Sequence, residues 1–279
     1  MSTDSFLSQI QNLPVLPQVA MRITERMQSP TATLAEISSL LRSDIGLSTK
    51  ILRLANSSYY SVPGGVTDVA KALQYLGFTT IAQIVLTTSV FGAFRTQGST
   101  AFPLTPFWTH SFAVGQLAEI TARSLQLKSP SDAFVGGLMH DLGKLILLEL
   151  QPDQLSKIIH LASERGISFL HAEAELGLEK NHIELGVLLA KHWKLSEVIV
   201  SAIKFHHGGG TTLETKLIEW ANLWVNSQKI GNSGNYMADV NEKLELAQIE
   251  IGLSPKMLLS IEVMFQKEFE KAGAILSGH

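Results

Sequence analysis

The chain has 279 residues, of which 45% are hydrophobic and only 17% charged, enough apolar material for one large core or two modest ones. With no cysteine it is excluded from disulfides, thiolate zinc sites and cysteine nucleophiles, which leaves histidines and carboxylates as its only strong metal ligands. A net charge of −3 without any Lys/Arg run argues against a nucleic-acid or anionic-membrane surface.

Helix signals dominate from the start. Met1 to Gln11 carries Asp4 and no basic segment, so it does not read as a secretory signal, and a cytoplasmic chain is expected. Pro17 opens a helix to about Gln28, with Val19, Ile23 and Met27 at helical spacing. Thr33-Leu34-Ala35-Glu36 is a capping-box pattern for the next. Asp44 caps Ile45 to Asn56, in which Leu47, Ile51, Leu54 and Ala55 form one stripe. Lys50 and Arg53 are offset from it and, near Asn56, could form a small anion site. Pro63-Gly64-Gly65 makes a loop, Thr67 begins a helix that stops at Gly77, and Thr80 starts another. Ala72 to Phe94 holds no charge and is long enough to span a bilayer, but Gly77, Gln74 and Gln83 split it into two buried helices, and no membrane segment is expected.

The polar Thr96 to Pro106 segment separates an N-terminal helical lobe, residues 1–100, from a C-terminal lobe, residues 101–279. The second lobe begins with Phe107-Trp108-Thr109-His110, and His110 shares a helix face with Val114, Leu117 and Thr121. Next comes Gly136-Gly137-Leu138-Met139-His140-Asp141-Leu142-Gly143-Lys144, with Ser131 as its cap, which places an adjacent His-Asp pair and a lysine in an apolar stretch. On a helix His140 and Asp141 diverge by about 100°, so they can flank one ion, while His140 and Lys144 share a face. Pro152 starts a helix to about Arg165. Ser168 starts another whose His171, Glu173 and Glu175 read as a solvated face. Asn181 caps a helix with His182, Leu185, Gly186, Leu189 and Trp193 inward and His192 outward. His206 and His207 end a helix before Gly208-Gly209-Gly210, where the cationic form is favoured, so a capping role competes with a ligand role. Asn222 lies on the face of Ile218 and Val225.

No segment of strand period competes, so the chain reads as all-α with two lobes. Taken singly, each inward histidine fits a core or capping role. Together, His110, His140, Asp141, His182, His206, His207 and Asn222 form a set suited to iron, zinc or manganese, because neutral imidazoles with a carboxylate match borderline divalent ions.

Three separated motifs carry a family resemblance: Leu13-Pro14-Val15-Leu16-Pro17, then Asp44-Ile45-Gly46-Leu47-Ser48-Thr49-Lys50-Ile51-Leu52-Arg53-Leu54-Ala55-Asn56-Ser57, then Ala72-Leu73-Gln74-Tyr75-Leu76-Gly77. In this order they resemble the HDOD family, the HD-related output domains of bacterial signalling, over roughly Leu13 to the helix of Asn222. The resemblance implies an all-helical regulatory module, a signalling protein partner, and a C-terminal lobe of the HD metal-dependent phosphohydrolase superfamily. By position, His110 matches the superfamily's first histidine and His140-Asp141 its signature doublet. His182, His206 and His207 match the extra ligands of the two-metal HD-GYP phosphodiesterases, and Lys144 the lysine that trails the doublet, where it could contact a phosphate.

Two departures stand out. Asn222 occupies the place of the last aspartate ligand, and glycines follow His206-His207 in place of the Glu and Gly-Tyr-Pro segment. The expectation is therefore a degenerate centre, partly filled by Fe, Mn or Zn, with a phosphate-containing ligand and little hydrolysis. The alternative is an active phosphodiesterase using Asp141 and Lys144. No organic cofactor and no nucleic-acid partner are expected.

Overall fold

Helix caps written in the sequence set most of the element boundaries in the computed structural model, which describes residues 16–27, 29, 31–56, 65–94 and 102–276. The Leu13-Pro14-Val15 motif, Gln28, Pro63-Gly64 and residues 96–101 of the lobe boundary lie outside the described residues. Those described form helices without a strand: α1 Gln18–Met27, α2 Leu34–Arg42, α3 Ile45–Ala55, α4 Val69–Leu76, α5 Phe78–Ala93, α6 Leu104–Ser124, α7 Pro130–Met139, α8 Leu142–Leu150, α9 Pro152–Arg165, α10 Phe169–Glu175, α11 His182–His192, α12 Glu197–Phe205, α13 Leu213–Ser227, α14 Val240–Glu250 and α15 Pro255–Leu276. The protein is all-α, as its periodicity implies. The chain divides into two compact units, one of Met1–Pro14 with Arg95–Phe265, the other of Val15–Phe94 with Gln266–His279.

In the smaller unit, Thr33 and Glu36 exchange the two bonds of a capping box, Glu36 N–H donating to Thr33 Oγ1 (3.3 Å) and Thr33 N–H to Glu36 Oε2 (3.1 Å). Asp44 accepts from Leu47 N–H at 3.0 Å. α1 packs on α5, and α2 and α3 on α4, around buried Ile23, Ile37, Leu41, Ile51, Ala72 and Ile81. Asp68 rather than Thr67 caps α4, because its carboxylate accepts from Ala70 N–H at 2.6 Å. Gly77, at φ 80°, ends α4 and lets α5 begin at once at Phe78, two residues before Thr80. The two helices meet at 114°, and no single helix among the described residues is long and apolar enough to cross a membrane. The Asn56 amide is committed to the chain beside it. Its side chain donates to Val66 O (2.7 Å) and accepts from Val66 N–H (2.6 Å), stapling the loop.

In the larger unit α6 is the central rod. It starts at Leu104, three residues before Phe107, since Pro103 ends the extended segment. Ser129, with Pro130 at the first helical position, replaces Ser131 at the start of α7, a place for which proline's fixed φ is suited. α7 and α13 lie against α6, α12 against α7, and α11 against α8. The α6–α7 crossing is backbone on backbone: a Cβ on Gly137 would meet Gly115 Cα at 2.6 Å. This closeness brings His110 of α6 beside the end of α7, their imidazole centroids 5.4 Å from one another at His110 and His140.

Candidate metal centre

His140 and Asp141 do not sit inside one helix. They form the break between α7 and α8, where Asp141 (φ −102°, ψ 14°) has left helical geometry, so both side chains turn inward. His182 is placed by the cap before it: Asn181 and Glu184 complete a capping box at 3.0 Å in both directions, which makes His182 the first residue of α11. His206 and His207 follow α12, and Asn222 comes from the middle of α13. His110, His140, Asp141, His182, His206 and Asn222 are all buried, and His207 is half-buried.

The ligand atoms fall into two groups that share Asp141, each within 4.8 Å internally: Asp141, His182, His206 and His207, and His110, His140 and Asp141. Asp141 Oδ1 lies 3.3 Å from His206 Nε2 and 3.6 Å from His182 Nε2. Its Oδ2 lies 3.1 Å from His140 Nε2. His182 Nε2 is 3.2 Å from His206 Nε2 and 3.1 Å from His207 Nε2. On the other side, His110 Nε2 is 3.1 Å from Asn222 Oδ1.

The tautomers decide what these distances mean. His140 Nδ1 is 2.6 Å from Gly137 O and His206 Nδ1 is 2.7 Å from Ile203 O. A carbonyl only accepts, so both rings carry their proton on Nδ1 and present a bare Nε2. Two bare nitrogens therefore face the oxygens of one carboxylate, and among the described residues His140 Nε2 and Asp141 Oδ1 have no hydrogen-bond partner. Buried acceptors facing acceptors are satisfied by a proton or a metal ion between them. Burial lowers the pKa of His182, His206 and His207, and that of His110 to about 3, with neighbouring imidazoles adding to the effect. The imidazolium form is thereby disfavoured, so the cluster can hold a divalent metal. For His206 and His207 this reverses the cationic state expected of a helix C-terminus, because desolvation outweighs the half-charge of the helix end.

For Asp141, burial pulls upward, but the Lys144 ammonium beside it overcomes that and holds the pKa well below the usual carboxylate range. Lys144 is fully buried. Its Nζ donates to Asp141 Oδ2 (2.7 Å) and Ser233 O (2.8 Å) and lies 4.6 Å from the centre of the Phe169 ring. Ser233 in turn lines a cavity of about 580 Å³ with Asn226, Lys229, Asn235 and Tyr236. Asn222 Oδ1 also accepts from Asn226 Nδ2 at 2.9 Å.

One residue is corrected outright. Glu173 was expected on a solvated face, yet it is 1% exposed and clamps His182, accepting from its backbone N–H (2.7 Å) and facing its Nδ1 at 2.6 Å. Burial pushes Glu173 up to about 8, against the pull of the His182 N–H and Lys144. Its neighbours His171 and Glu175 behave as expected, pairing at 3.5 Å near the surface, and His192 is exposed. The signal available in sequence was the apolar register of Phe169, Ala172 and Glu173, which share a buried face.

An all-helical chain with a buried His/Asp centre at a helix break is the class that fold and site define. The chain belongs to the HDOD domain family, whose model matches residues 13–208. Its structure is similar to that of an HDOD domain protein of unknown function from Geobacter sulfurreducens, with a TM-score of 0.79, 24% identity and 98% of each chain covered. A protein from Shewanella amazonensis, provisionally called a phosphohydrolase, aligns with a TM-score of 0.72 and 24% identity over 97% of this chain and 96% of that one. A Marinobacter aquaeolei protein provisionally assigned to signal transduction aligns with a TM-score of 0.76 and 19% identity over 95% of this chain and 59% of that one. In sequence, an uncharacterized protein of Treponema pallidum is 26% identical over 204 residues, 73% of this chain, and the chain spans 39% of that relative's length.

Proposed function

We propose that this chain is a regulatory module of bacterial signal transduction, in which an HD-type metal centre keeps its histidines and has lost charge. The observation that carries this reading is Asn222, a buried neutral amide engaged by Asn226 and 3.1 Å from His110, where the resemblance to the superfamily implies an aspartate. It leaves Asp141 as the only carboxylate among the proposed ligands, and Asp141 is already ion-paired to Lys144.

In this reading His110, His140, Asp141, His182, His206, His207 and Asn222 are the metal set, for Fe, Mn or Zn at partial occupancy. A bound divalent ion would supply Lewis acidity toward a water or a phosphate oxygen. The chain's own residues position and insulate that ion: the Nδ1–H groups of His140 and His206 fix their rings, and Glu173 fixes His182. Lys144 is anchored by two hydrogen bonds and would have to leave both to reach a substrate phosphate. A cytoplasmic signalling protein reads the module, whose residues 1–100 form the N-terminal helical lobe and 101–279 the HD-like lobe, and a phosphate-containing ligand is a candidate input. The provisional signalling assignment of the Marinobacter relative agrees with this. The competing reading, an active phosphohydrolase with Asp141 and Lys144 in catalysis, draws on the five retained histidines and the provisional name of the Shewanella relative.

Metal analysis of protein purified without chelators, followed by hydrolysis of bis(p-nitrophenyl) phosphate, tests the proposal. The expected result is no more than one ion per chain and turnover far below ~1 per second. Turnover within the ordinary enzymic range of ~1–1000 per second would overturn the regulatory reading.

A further inference from the structure

The two donor groups around Asp141 are not equivalent, and their differences all point one way. Asp141 Oδ2, on the His140 side, is taken by the ammonium of Lys144 at 2.7 Å. Oδ1, on the side of His182 and His206, has no hydrogen-bond partner among the described residues. Behind His182 stands Glu173, a second buried carboxylate, bonded to both the ring and the backbone of that residue. Behind His110 stands the neutral Asn222, whose oxygen Asn226 already uses. His140 Nε2 has no hydrogen-bond partner among the described residues, so the second group also has a donor to offer, but toward an oxygen already paired to an ammonium.

We infer that the first divalent ion enters the Asp141 Oδ1, His182, His206 and His207 group, selected by Glu173 as a positioning residue, and that the His110, His140 and Asn222 side fills second and weakly. This rests on the metal-centre reading above and adds to it an order of filling. Glu173 acts through His182: in its ionised form, reached as its own proton leaves, it accepts the Nδ1 proton and leaves Nε2 bare for the ion. In Glu173→Gln an amide NH₂ facing Nδ1 would drive the ring proton to Nε2, into the ligand position.

Cobalt(II) titration of the full chain provides the test. X-ray absorption at one equivalent should count three imidazoles on the ion in the unmodified protein; two imidazoles would overturn the assignment. Glu173→Gln should weaken first-ion binding by about 10- to 100-fold, and Glu173→Asp should restore part of it. His110→Ala should leave the first ion within about threefold and abolish the second, on the same tenfold-or-more scale for losing a ligand. The reverse pattern, with His110→Ala removing the first ion and Glu173→Gln sparing it, overturns the inference. Should Glu173→Gln fail to fold, the imidazole count on the unmodified protein still decides the order of filling. Binding of no cobalt at all would instead sink the metal-centre reading, and this inference with it.

Discussion

Gly143→Ala is the change that most directly couples packing to the centre. Gly143 lies in the first turn of α8 and faces the first turn of α11, so that a Cβ there would come within 2.6 Å of His182 C and closer still to His182 O. Ordinary contact begins at 3.4 Å, so clearing His182 C alone takes 3.4 − 2.6 = 0.8 Å, and clearing the nearer His182 O takes more. The neighbour is backbone on both sides, since Gly186 N would also lie 2.8 Å from the added atom, and no flexible side chain can yield. Overpacking of this kind costs ~1–3 kcal/mol, against which alanine returns ~1 kcal/mol of helix propensity. Because the nearest clash is on backbone and far inside contact distance, net destabilisation by urea melting should reach at least the upper end of that difference, ~2 kcal/mol. The effect on metal should be larger in proportion, because metal–ligand distances tolerate only about ±0.2 Å and the shift carries His182 away from Asp141 by several times that. Cobalt titration beside urea melting separates the two effects. Gly92→Ala is the control: its added Cβ meets nothing within 4 Å, so it should be neutral or mildly stabilising. Metal affinity unchanged in Gly143→Ala would refute the claim that the α8–α11 approach sets the centre.

Asn222→Asp should restore an anion beside His110, tighten binding of the second ion and raise hydrolysis of bis(p-nitrophenyl) phosphate; identical metal stoichiometry in both proteins would show that Asn222 is not the missing ligand. Acid should destabilise the chelator-treated protein. The pKa values of His110, His182, His206 and His207 are lowered on folding, so between ~6.5 and the folded value the unfolded chain binds more protons and stability falls as pH falls, by up to ~1.4 kcal/mol per pH unit for each. For His110 the window runs down to about 3. A urea midpoint unchanged between pH 7 and pH 5 would contradict this. Glu173 has the opposite sign: with its folded pKa raised to about 8, the metal-free fold binds the extra proton between the unfolded value of 4.5 and 8, and that contribution is lost as pH rises through the window. Cobalt affinity should therefore climb from pH 6 to 8 in the unmodified protein and climb less steeply in Glu173→Gln; parallel slopes would separate Glu173 from the metal.

Periodicity and caps made the helices legible, since a local signal is read by a local structure. Thr33 with Glu36 and Asn181 with Glu184 close the boxes that their spacing implies. Boundaries slipped where two candidates competed within a few residues, as at Thr67 against Asp68, and there the stronger acceptor won. The inward phases of His110, His182 and Asn222 were equally legible, because each lies on a stripe with unambiguous apolar neighbours.

What periodicity could not supply is the environment on the far side of each residue. Glu173 lies between His171 and Glu175, whose spacing suggests a solvated acidic face, and only the seven-residue length of α10 with its docking against the start of α11 turns it inward. The same blindness applies to charge. From the helix end alone His206 and His207 should favour the cation, because the C-terminal carbonyls of α12 are visible in sequence while the desolvation imposed by α7, α11 and α13 is not. Desolvation wins because it acts on the whole imidazolium, whereas a helix terminus offers only ~0.5 of a charge. A buried centre of neutral imidazoles around one carboxylate is thus a tertiary product: the sequence orients the ligands one helix at a time, and close approaches such as Gly115 on Gly137 determine whether the bare nitrogens meet.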